Sequence, residues 1–154
     1  MYEDCFEQLE GADALTEYVS KYRRSGLPDL QVSPPFDLYP SQPVPSGIHP
    51  KGEYKDSWPN NEKAGVYMLY TNALKLLYIG KTSMNQGIGH RLSTYFGNGT
   101  DTGGAAPTRD WLKPARFVVT IAVPDDMRFE APMLEEFLIW KLSPPANEYG
   151  KRRR

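Results

Sequence analysis

Eight of the fourteen prolines lie between residues 27 and 59, and that density decides what this part of the chain cannot become. Proline has no N–H to give a helix or an inner strand and pushes the residue before it toward extended backbone, so no long regular element fits there. A solvated linker does not fit either, because Leu27, Leu30, Val32, Phe36, Leu38, Tyr39, Val44, Ile48, Tyr54 and Trp58 are too apolar to stay in water. The expectation is an extended arm laid against the rest of the protein, its stiff backbone lowering the entropic cost of order.

Regular elements are expected on both sides of this arm. Over residues 4–24, Phe6, Leu9, Ala12, Leu15, Tyr18, Val19 and Tyr22 recur at helical spacing, and Ser25-Gly26 supplies a stop. The first twenty residues carry six acids and no base, which would repel a phosphate backbone and leaves this helix as a candidate surface for a protein partner. Beyond residue 60, the β-rich runs 65–70 and 74–79 flank Thr71, Asn72 and Ala73 and predict an antiparallel hairpin. A helix over 88–96, a loop over 97–107 with four glycines, a strand over 116–123 and a helix over 133–142 follow. The order ββαβα predicts a mixed α/β (α+β) fold with a small three-stranded antiparallel sheet flanked by helices. Residues 1–60 form an acidic helix and wrapping arm, and residues 61–154 form the second unit with a basic tail.

A length of 154 residues fits one domain. No apolar run approaches the roughly 20 residues of a membrane helix, and the acidic start does not read as a signal peptide, so a cytoplasmic protein without membrane contact is expected. One cysteine, Cys5, and two histidines, His49 and His90, exclude a Cys-rich zinc site and leave a hard, oxygen-bound ion as the metal to expect. The net charge of −1 divides into 10 acids and 5 bases over residues 1–60 (−5) and 9 acids and 13 bases over 61–154 (+4). The basic part suits a polyanion. The glycine loop lacks the Lys-Ser/Thr of a phosphate-binding P-loop, and Pro124-Asp125 is not followed by the Glu-x-Lys of a two-carboxylate nuclease motif.

Gly65-Val66-Tyr67, with Tyr78-Ile79-Gly80 placing its tyrosine eleven residues on and Lys81 next, resembles the signature of the GIY-YIG nuclease superfamily, with Val66 where the first motif has isoleucine. The stretch 89–96 is similar to the family's arginine helix, Arg91 being followed four residues later by Tyr95. Residues 134–139 resemble the helix carrying its metal-binding glutamate, and Pro144-Pro145-Ala146-Asn147 its closing Pro-x-x-Asn, twelve residues after Glu135. The five motifs keep their order across 83 of 154 residues. The insert between Lys81 and Arg91 is longer than in excision-repair relatives. Physical arguments favour the same positions: tyrosines on two arms of a hairpin can meet across it, and residues four apart share a helix face. Glu135 and Glu136 differ by about 100° around their helix, so one of them can face a site. The family register selects Glu135 and leaves Glu136 in reserve.

The resemblance implies a metal-dependent DNA endonuclease in which Glu135 holds one Mg²⁺ or Mn²⁺. Tyr67 is the candidate general base, and its phenol, ordinarily near pKa 10, would need lowering by about two units, roughly 2.7 kcal/mol, from Lys81 and the metal. Arg91 would clamp the phosphate with its planar fork. Tyr78 and Tyr95 would orient water and phosphate, and Asn147 would anchor the closing segment. Arg109, Lys113 and Arg152 are further candidate DNA contacts, the first two beside Trp111 in a basic and aromatic cluster where Trp111 has core capping as its competing role. The competing expectation for the whole chain is a catalytically degenerate module of the same fold, an adaptor or a nucleic-acid binder that does not cut.

Overall fold

The computed structural model describes residues 6–97 and 104–152; Glu3, Asp4, Cys5, the glycine-loop residues 98–103, Arg153 and Arg154 lie outside the described residues. In chain order the elements are α1 (Ala12–Glu17), a π-helical turn (Tyr18–Tyr22), β1 (Gln31–Val32), β2 (Phe36–Asp37), β3 (Gly65–Thr71), β4 (Leu76–Thr82), α2 (Ile88–Phe96), a 3₁₀ turn (Asp110–Leu112), β5 (Ala115–Ala122) and α3 (Glu130–Leu142).

The fold is mixed α/β around a five-stranded antiparallel sheet ordered β1-β5-β3-β4, with β2 also pairing on β5. The expected three-stranded sheet is therefore too small. The two extra strands come from the proline-rich arm, where Gln31 and Val32 lie opposite Ala122 and Ile121, and Phe36 and Asp37 lie opposite Val118 and Phe117. Two-residue pieces between prolines are as long as that composition allows, and together they cover an edge of β5 that would otherwise present unpaired backbone groups.

Strand alternation divides the interior into two layers. Val66, Met68 and Tyr70 of β3 and Phe117, Val119 and Ile121 of β5 face a core shared with Phe6, Leu9, Leu15 and Tyr18 and with Ala131, Leu134 and Leu138 of α3. Tyr67 and Leu69 face the opposite core, shared with Ile88, Leu92, Tyr95 and Phe96 of α2 and with Phe36, Leu38, Tyr54 and Trp58 of the arm. Residues 1–60 thus complete both layers of residues 61–154. The apolar side of α1 is spent inside the molecule, and its acid Glu17 pairs with Lys141 of α3 at 2.9 Å.

Helix bounds depart from the periodicity for local reasons. Gly11 has φ 112°, which a helix cannot pass through, so α1 begins only at Ala12 rather than near residue 4. The π turn then widens the helix so that Tyr18 Oη and Arg23 Nε both donate to Glu130 Oε2, at 2.7 and 2.9 Å. At the other end of the chain α3 starts at Glu130 instead of residue 133, because Pro132 occupies the first turn, where a missing N–H costs nothing. Among the described residues no helix is long and apolar enough to cross a membrane.

Candidate functional site

The hairpin sets the first two tyrosines. Tyr67 lies opposite Gly80, and Tyr78 lies opposite Leu69, so the two phenols are diagonal neighbours on one face with ring centroids 6.2 Å apart rather than directly opposed. A bulge at Leu77, between the pairs Leu69–Tyr78 and Tyr70–Leu76, turns Leu77 and Tyr78 toward the same layer. From α2, Tyr95 brings its ring within 5.9 Å of Tyr67 and 6.4 Å of Tyr78, and the Tyr67 hydroxyl donates to the Tyr95 hydroxyl at 3.3 Å.

Both glycines of the hairpin are there for space. A Cβ on Gly80 would stand 2.2 Å from Cζ and Oη of Tyr67, whose ring lies across that backbone, and one on Gly65 would stand 2.0 Å from the Ile121 carbonyl oxygen of β5. Gly80→Ala is expected to destabilise the protein by about 1–3 kcal/mol through overpacking and to push Tyr67 off Tyr95. Urea titration checks this, and a loss under 0.5 kcal/mol would mean that the ring does not need that space.

Asn147 is buried and clips the free edge of β4. Its Oδ1 accepts from Ile79 N–H at 2.9 Å and its Nδ2 donates to the Ile79 carbonyl at 2.8 Å, while Ala146 N–H donates to Leu77 O at 3.0 Å. The side-chain amide replaces one residue of a missing strand and fixes the backbone on either side of Ile79, hence Tyr78 and Gly80. It is a positioning residue.

The site straddles the β4 edge. Lys81 shares the face of Ile79, toward α3, whereas the three tyrosines and Arg91 belong to the α2 side. Lys81 Nζ donates to Ser83 Oγ at 3.2 Å and its charge opposes a rise in the pKa of Glu135. Burial is the larger influence on Glu135 and raises its carboxyl above the ordinary value; the exposed Glu136 adds to the rise. Glu135 is half-buried, opens on a cleft of about 490 Å³ and, among the described residues, has no hydrogen-bond partner. Such a carboxylate fits a cation that keeps most of its waters, and no group of three or more His, Cys, Asp or Glu side chains assembles among the described residues to offer a fuller cage.

The phenols move opposite to the expectation. Burial, then Tyr95 and Tyr78, push the Tyr67 phenol well up, and Arg91 opposes them. Tyr78 is likewise raised, by burial first and then by Tyr95 and Glu135. Lys81 is not among the main influences on Tyr67 and lies on the other face of the sheet. The protein frame alone therefore keeps Tyr67 protonated at neutral pH.

Not every candidate cation joins this cluster. Lys113 pairs with Asp110 at 2.8 Å on the surface, Arg109 is exposed on the turn before it, and Arg152 stacks on the Trp140 ring at 4.3 Å, on a side of α3 about 140° from Glu135. Arg116, part of the basic count, is buried against Asp37. Trp111 does more than cap a core: its ring lies 4.6 Å from Tyr78 and lines the cleft together with Tyr149. Tyr149 carried no sequence signal, since it follows the last recognisable motif.

The fold and site define a mixed α/β protein with a tyrosine cluster, an arginine and one carboxylate meeting at the edge of an antiparallel sheet. In comparisons with family models, with curated proteins and with solved structures, nothing matches the chain.

Proposed function

We propose that the chain is a metal-dependent DNA endonuclease of the GIY-YIG type. The observation that carries the reading is convergence: Tyr67, Tyr78 and Tyr95 touch one another, Arg91 acts electrostatically on two of them, Glu135 acts on Tyr78, and Asn147 holds the strand between them. These residues come from two strands, two helices and the closing segment.

In this reading Glu135 would hold Mg²⁺ or Mn²⁺, which when bound neutralises charge on the phosphate and the leaving oxygen. Arg91 grips non-bridging oxygens from the α2 side, Tyr78 and Tyr95 orient the phosphate and the attacking water, and Lys81 balances the Glu135 charge from the α3 side. Tyr67 takes the water's proton when added positive charge offsets its burial. The product would carry a 5′-phosphate.

Nicking of supercoiled plasmid is the test. Activity is expected in Mg²⁺ and not in EDTA, rising with pH as a larger fraction of Tyr67 ionises, and Tyr67→Phe is expected to lose that rise. Inactivity of the wild type, or equal rates in wild type, Glu135→Ala and Tyr67→Phe, would sink the enzymatic reading. The second reading, a module that binds nucleic acid without cutting, draws on one observation, the upward push on the Tyr67 phenol.

A further inference from the structure

The cleft beside Glu135 extends past anything that a phosphate, a metal and a water would fill. Its volume of about 490 Å³ is within the range of pockets that enclose a small organic ligand. Its lining includes the aromatic residues Tyr78, Trp111 and Tyr149 with Ile139 and Ala146, and its polar groups beyond Asn147 include the carboxylates of Glu135 and Glu148. Tyr149 stands 82% exposed at the rim, with its ring bare to solvent.

Charge and shape select the occupant. Glu148, away from any cation held at Glu135, disfavours the sugar–phosphate backbone in its part of the cleft, whereas an uncharged aromatic ring can lie against the aromatic lining. In the proposed reading the scissile phosphate lies on the Arg91 side of Tyr78. A base in a continuous stack has both faces covered by its neighbours, so the ring that lies against Tyr78, Trp111 or Tyr149 must be unpaired and unstacked. We infer that this cleft is a stacking slot for one unpaired nucleobase next to the scissile phosphate, which makes the substrate class DNA with an extruded or unpaired nucleotide. The inference rests on the proposed reading for the position of the phosphate.

Base stacking on aromatic side chains is worth enough to change affinity by about tenfold or more. The probes are three fluorescein-labelled duplexes with one sequence: fully paired, carrying a single bulged adenine, and carrying an abasic bulge. Binding to the full chain is followed by anisotropy in EDTA, so that cutting plays no part. The adenine bulge is expected to bind about tenfold more tightly than the other two. Tyr149→Ala, a change at an exposed side chain, should bring all three within threefold without altering the melt, and Tyr149→Phe should keep the preference. Equal binding of the adenine and abasic bulges, no binding of any duplex, or a preference that survives Tyr149→Ala would overturn the slot. Plasmid nicking in Mg²⁺ is scored separately. A wild type that prefers the adenine bulge but does not nick overturns the nuclease reading alone, and one that nicks without the preference overturns the slot alone.

Discussion

Glu135→Gln is expected to lower the Mg²⁺-dependent nicking rate by about 10²–10³-fold while making the metal-free protein slightly more stable at neutral pH. The loss follows from removing the carboxylate proposed to hold the metal, an electrostatic contribution of the size seen when a preorganised group opposite developing charge is removed. The gain follows from the direction of the pKa shift. Burial raises the Glu135 carboxyl, so the folded state holds a proton that the unfolded chain has already released. That contribution to stability is complete below the unfolded value near 4 and is lost as pH rises through the folded value. At pH 7 the wild type carries an ionised carboxylate in a half-buried place, and glutamine does not. Screening from the open cleft limits the rise in thermal midpoint to about 1–2 °C, and it should vanish below about pH 4. Glu136→Gln is the control: Glu136 is exposed, so its rate should stay within about twofold. A wild-type rate in Glu135→Gln, or a larger loss in Glu136→Gln, would place the acid on the wrong side of α3.

Local pattern foretold the elements whose signal is local. The bounds of α2 at Ile88 and Phe96 and the course of β3, β4 and β5 follow from apolar spacing with glycine and proline at the ends. β1 and β2 were hidden, because two-residue strands have no periodicity and exist only where β5 offers an edge. Of the site, the shared face of Arg91 and Tyr95 and the meeting of the hairpin tyrosines were legible in the spacing. The bulge at Leu77 and the diagonal placement of Tyr67 and Tyr78 were not, since register depends on the partner strand. The direction of the Tyr67 shift was missed for the same kind of reason: it is set by layers contributed from α2 and from the arm, far along the chain. The basic count of residues 61–154 also overstated the free positive surface, because Arg116 and Lys113 are paired within the fold.

Arg116→Met is expected to cost about 3–5 kcal/mol, the range for removing one partner of a buried ion pair. The Arg116 guanidinium is 2% exposed and binds Asp37 through two parallel contacts, Nε to Oδ1 at 2.7 Å and Nη2 to Oδ2 at 3.0 Å. It also reaches Asn72 Oδ1 at 2.7 Å and the carbonyls of Gln42 and Pro43 at 3.1 and 3.3 Å. One side chain of β5 thereby fastens the arm and the hairpin turn. Methionine would fill part of the volume but leave Asp37 buried with the Tyr39 N–H, at 2.9 Å, as its remaining side-chain partner among the described residues. Removing both charges in Arg116→Met/Asp37→Leu should cost less than the single change, which distinguishes an orphaned charge from lost packing. Loosening the arm also reaches the site. Trp58 donates to Ser93 Oγ at 2.9 Å and Tyr54 to the Phe96 carbonyl at 3.0 Å, both on the helix that carries Arg91 and Tyr95. A fall in nicking is therefore expected in Arg116→Met at temperatures where it remains folded. Urea midpoints with an unchanged m-value measure the stability term, and a loss under 1 kcal/mol, or a double variant worse than the single, would show that the arm is held by its apolar contacts instead.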